Sequence, residues 1–158
     1  MGEFTHNMDE VRAYLGIAPG STIDWRLLEG RGFSKADIAK AVAYVNNMPD
    51  NGKDPNKIPT IWPRPDAMPT IANVDFGSVT QPKVTIANLM ASNKNLKRDR
   101  LLWHVQNPGK RVHNNDFTQL PLTLTFKEGT VIVDGHHFLA ALQILGQPTQ
   151  QVNNLPTI

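Results

Sequence analysis

The chain contains no cysteine, which excludes disulfides, thiolate metal sites and a cysteine nucleophile together. It also has no run approaching the ~18 consecutive apolar residues of a membrane span, so no membrane partner is expected. Charge of one sign is scarce: 16 Lys+Arg against 14 Asp+Glu leave a formal +2, too little by itself to foretell a nucleic-acid partner. No charged-then-apolar leader with a small-residue cleavage site opens the chain, so no signal peptide is read and a cytoplasmic or delivered-effector location is expected. Met1-Gly2-Glu3-Phe4 has the composition of a cloning remnant, with Met8 a natural start, and is left out of the fold reading.

What is present fits a globular chain. At 158 residues, 40% hydrophobic and 19% charged, one main core is expected, with a small appended subdomain. Residues 8–48 read as that helical subdomain. A short helix from Asp9 to Gly16 is followed by a stronger one, where Ser34 caps the first turn, Asp37 is its acidic partner and Phe33 packs on Ile38. Ile38, Ala41, Val42 and Val45 then form the apolar stripe. Two helices about a glycine-containing turn resemble a DNA-binding pair, yet the second offers only Lys35 and Lys40, so a plain packing hairpin is the expectation.

Residues 49–82 carry prolines 49, 55, 59, 63, 65, 69 and 82, which block helix and remove backbone donors. Ile61, Trp62, Met68 and Ile71 are too apolar for a free linker, so this connection should wrap over the core. Residues 83–158 are regular. The patterns predict a strand over 83–86, a helix over 95–106 and a hairpin of strands 120–126 and 130–133 about Glu128-Gly129. A last helix should open at His136 or His137 and end at Gly146. An α/β (α+β) fold follows, a small mixed sheet with helices.

The chemistry concentrates in Val133-Asp134-Gly135-His136-His137-Phe138. A buried strand running through glycine straight into a helix leaves amide donors and a positive dipole end pointing outward, which suits an anion. Gly135 lets a phosphate approach the main chain, His136 and His137 have a side chain suited to proton transfer near neutral pH, and Asp134 can orient a histidine or hold Mg2+ or another divalent metal. Lys94, Lys97, Arg98, Arg100, Lys110 and Arg111 make a local basic excess in which Asp99 is the only acid. The plainer alternatives are a turn-stabilising Asp134, a helix-capping histidine and a solvated basic face. His104 reads as a packing residue, a zinc site from His104, His113, His136 and His137 lacks the usual ligand spacing, and Trp25, Trp62 and Trp103 read as core or stacking residues.

The stretch 84–152 resembles the ParB/sulfiredoxin superfamily, in its ParB-like nuclease branch. The resemblance rests on Leu89 with Asn93, on Leu120-Pro121-Leu122 and above all on the box from Val133 to Gly146. It implies phosphate or nucleotide binding, with ATP or CTP as ligand, at Gly135 with Asn93, Arg98, Arg100 and Arg111, and Asp134, His136 and His137 as catalytic residues of a nuclease or nucleotide hydrolase. Sulfiredoxin chemistry is excluded, since its cysteine has no equivalent. The family's arginine after the box is here Phe138, which leaves open a non-catalytic nucleic-acid or protein-binding module of phage or plasmid origin. A toxin domain met by an inhibitor or immunity protein is a further expectation.

Overall fold

A computed structural model describes Ala18, Gly20 and residues 33–109 and 120–158. The expected helix over 9–16, Trp25, Lys110, Arg111 and His113 lie outside the described residues. Helix α1, Lys35–Asn47, starts where Ser34 takes extended angles and its Oγ accepts the Asp37 N–H at 3.0 Å. Ser34→Ala should therefore cost ~1 kcal/mol, read as a lower urea midpoint with an unchanged slope.

The proline-rich connection is not merely a wrap. It supplies strand β1, Lys57–Pro59, which was not legible in the sequence and which buries Ile58. Trp62 is buried too, its Nε1 donating to the Ile86 carbonyl at 2.9 Å, whereas Met68 and Ile71 stay exposed. Strand β2, Lys83–Thr85, is followed by a 3-10 turn, Ile86–Asn88, and by β3, Met90–Ala91. The helix expected from Asn95 starts later. Asn95–Lys97 is strand β4, paired antiparallel with β1, and helix α2 covers Arg98–Gln106. A partner strand brought from 40 residues upstream takes those three residues out of the helix.

Strands β5, Leu122–Phe126, and β6, Gly129–Asp134, form the expected hairpin. Helix α3, His136–Ile144, then ends at Gly146, whose φ of 91° lets the Gln147 N–H reach back to the Leu142 carbonyl at 2.8 Å. Two further strands close the chain, β7, Thr149–Gln151, against β2 and β8, Asn153–Pro156, parallel to β5. The main sheet has the order β3-β6-β5-β8, with β3 parallel and β5 antiparallel to β6. The fold is α+β.

Strand β6 is paired along both edges, and its middle residues are buried on both faces. Ile132 faces a cluster with Val45, Ile58, Leu96, Leu101, Leu139 and Leu142, while its neighbour Val131 faces Leu124 and Leu155. Helix α3 buries Phe138, Leu139, Ala140, Ala141 and Leu142 in sequence, and only a helix enclosed on more than one side does so. Ala41 and Val45 of α1 sit in the same cluster as Ile86 and Leu139, so residues on both sides of the 49–82 segment share one core.

Candidate functional site

Strands β3 and β6 are parallel neighbours, with Met90 opposite Val131 and Ala91 opposite Ile132, so their carboxyl ends open at one place. The loop Ser92-Asn93-Lys94 and the turn Asp134-Gly135 both begin there, which is where open α/β sheets place ligands. Gly135 has φ 103° and ψ 23°, a left-handed conformation that side chains with a Cβ resist, and it turns the strand directly into α3. The first intrahelical donor is the Leu139 N–H, 3.0 Å from the Gly135 carbonyl. The amides of His136 and His137 precede it and have no acceptor among the described residues. They stand at the positive end of the helix dipole.

The imidazoles do something the sequence did not suggest. His136 is buried, and its Nε2 accepts the Ser92 N–H at 3.2 Å. Ser92 Oγ donates its one proton to the Ile132 carbonyl at 2.7 Å, fixing the loop to β6. His137 Nε2 accepts the Lys97 N–H at 2.9 Å. With Nε2 an acceptor in both rings, both are neutral and protonated on Nδ1. Burial pushes the His136 pKa down to about 4 against a small opposing pull from Asp134. Burial first, then the nearby His104, Arg100, His136 and Lys97, pushes His137 down to about 3.

This geometry gives His136 and His137 a task beside the proton-transfer role expected of them. A general base needs an available lone pair and a pKa near the working pH, and here each basic nitrogen is held by a backbone amide. The two rings instead tie the start of α3 to the 92–97 segment. Trp62 packs edge-on to His136 at 6.5 Å, and His104 stacks on His137 at 6.4 Å, so the rings are also wedged by their neighbours.

The expected cations separate. Arg98 donates to the carbonyls of Val45, Met48 (2.8 Å) and Pro55 (3.0 Å), so its guanidinium serves the end of α1. Arg100 is half-buried, close enough to His137 to disfavour its protonation, and its guanidinium makes no hydrogen bond or ion pair among the described residues. Asn93 is exposed beside Ser92. Phe138 is buried against His104, so that position presents no cation to the turn. Arg111 lies outside the described residues.

Among the described residues no three metal-ligating side chains converge. Of the histidines weighed for zinc, His136 and His137 face amides, His104 Nδ1 donates to the Arg100 carbonyl at 3.0 Å, and His113 lies outside the described residues. Asp134, exposed at the turn, is the one carboxylate of the box, so the side chains there do not by themselves make a divalent-metal cage. A groove of about 400 Å3 lies at the other end of α3, lined by Tyr44, Ile61, Trp62, Ala87, Gln143 and Ile144, and holds no ionisable group suited to phosphate.

Sequence reasoning missed Ser92, and Arg64, whose Nη2 donates to the Ser92 carbonyl at 3.0 Å. Nothing local marks either; both depend on the β3–β6 register. No helix among the described residues is long and apolar enough to cross a membrane. Comparison with protein-family models, with curated proteins and with solved structures finds no match.

Proposed function

We propose that this protein is a phosphate-binding module of the ParB-like type, in which the start of α3 receives one phosphate of a nucleotide or nucleic acid. The observation that carries this reading is the pair of amides at His136 and His137, without acceptors among the described residues, beyond a left-handed glycine and at the carboxyl end of a parallel strand pair. Arg100 supplies the adjacent positive charge. The histidines keep the donors in place, and Asp134 is the carboxylate of the box at the exposed turn.

Calorimetric titration with CTP and ATP, with and without Mg2+, tests the reading alongside an assay of phosphate release. Arg100→Gln should weaken nucleotide affinity about 10-fold, the ~1.4 kcal/mol of one charge-assisted hydrogen bond. His136→Gln and His137→Gln should retain it within a few-fold, because an amide oxygen can accept the same N–H. Turnover by the wild type that disappears in both glutamine variants with folding intact would restore the histidines as catalytic and overturn this reading. Turnover that survives in them and falls in Asp134→Asn would assign the hydrolase chemistry to Asp134.

A further inference from the structure

The two-stranded ribbon of β1 and β4 is electrostatically frustrated. In its antiparallel register Lys57 stands directly opposite Lys97, both exposed, on the face away from buried Ile58 and Leu96. Like charges opposite one another in a strand pair repel. The same Lys97 is the N-cap residue of α2, contributes no side-chain cap, and is followed in the first turn by Arg98 and Arg100, so cations gather at the positive end of a helix dipole. Asp99 is the one acid of that turn, and its carboxylate is held by the Asn56 side chain and the Arg100 amide.

Relief among the described residues is partial: Asp99 attracts Lys97 and Arg100, and Arg98 is turned to the carbonyls at the end of α1, but Lys57 has no acid opposite it. The side chains of Lys57, Lys94, Lys97 and Arg100 make no hydrogen bond and no ion pair there. Two unfavourable arrangements therefore meet at Lys97 on one surface. A partner that carries several negative charges in a line would relieve both.

We propose that the β1–β4 ribbon is a track for the sugar-phosphate backbone of a nucleic acid, with Lys57, Lys97 and Arg100 contacting phosphates next to the one bound at α3. The continuation past Arg100 rests on the phosphate reading above; the ribbon itself does not. Continuity is direct, since the Lys97 N–H is the group that His137 accepts, and the ribbon thus leads into the turn at Gly135. The rest of the ribbon's outward face is Pro59 and Asn95, with no ring for a base to stack on, so it reads charge and not sequence. A lipid surface fits less well. Among the described residues the large exposed apolar side chains, such as Tyr44, Ile71, Phe76 and Val79, are not part of the ribbon, whereas interfacial binding needs an apolar face beside the basic one.

The test is fluorescence anisotropy with labelled single- and double-stranded oligonucleotides across a salt series, on the wild type and on Lys57→Gln/Lys97→Gln. Loss of two phosphate contacts should weaken binding at least about 10-fold at ~0.1 M salt and reduce the log–log salt slope by ~1.4 for single strands or ~1.8 for duplex. Mononucleotide affinity should stay unchanged. Thermal unfolding should not fall, because the substitutions remove repulsion, and this separates a lost contact from a damaged fold. Unchanged oligonucleotide affinity and slope overturn the ribbon while leaving the turn standing. Lysine-dependent oligonucleotide binding with no mononucleotide binding supports the ribbon and sinks the turn. Failure of the wild type to bind either oligonucleotide, including the case where it binds only phosphatidylserine vesicles, overturns the ribbon.

Discussion

Replacing Arg98 by alanine is expected to destabilise the fold by about 3 kcal/mol while leaving nucleotide affinity per folded molecule unchanged. Its guanidinium donates to the carbonyls of Val45 and Met48, which close α1, and of Pro55, which leads into β1. Helix α1 has no basic residue in its own last turn, so this arginine, more than fifty residues later in the chain, supplies the missing C-terminal partner. Removing it takes the donor from the part-buried Met48 carbonyl, leaves Val45 with the Met48 N–H alone and unties α1 from α2 at one step. Arg98→Lys should recover the charge but only part of the stability, since one ammonium cannot satisfy three carbonyls held by a fork. Urea unfolding of the three proteins decides the matter. A stable Arg98→Ala protein with reduced phosphate affinity would mean that the side chain faces the ligand after all.

Acid should unfold this protein earlier than its carboxylates alone require. The folded-state pKa values of His136 and His137 lie at about 4 and about 3, below the ordinary 6.5, because burial disfavours the charged ring. The unfolded chain therefore binds protons first as pH falls. The stability these rings confer is fully present above ~6.5 and is lost progressively as pH drops toward their folded values. At 1.36 kcal/mol per unit the two together amount to on the order of 5 kcal/mol by pH 4, comparable with the whole stability of an ordinary domain. Protonation also converts each Nε2 from acceptor to donor facing a backbone N–H, so the Ser92 and Lys97 contacts turn repulsive. Urea midpoints measured from pH 7 to pH 4 should fall steeply in the wild type and much less in His136→Gln/His137→Gln. Parallel curves for the two proteins would show that the rings titrate in solvent.

The α3 turn was readable because its signals are local. Gly135 after a β-branched strand and before Leu139 and Leu142 specifies a strand, a left-handed corner and a helix within about ten residues, and the Ser34–Asp37 cap is equally self-contained. The histidines were legible as residues of the turn but not in their role. Adjacent imidazoles in a sequence look like proton carriers, and only the position of the Ser92 and Lys97 amides shows that their lone pairs are taken. Arg98 and Arg100 are two residues apart and alike in sequence. On a helix that spacing points them in different directions, and only Arg98 reaches the carbonyls at the end of α1.

By itself, then, the chain's order of residues determined the starts of α1 and α3, the β5–β6 hairpin and the glycine corner, each set by periodicity, caps and turn residues acting over a few positions. The tertiary structure alone decided that a proline-rich segment becomes strand β1, that Lys57 meets Lys97, and that Arg98 caps a helix while Arg100 makes no side-chain hydrogen bond among the described residues. The physical reason is that a donor's or a charge's role is fixed by the group opposite it, and for these residues that group lies some 40 or more positions away along the chain.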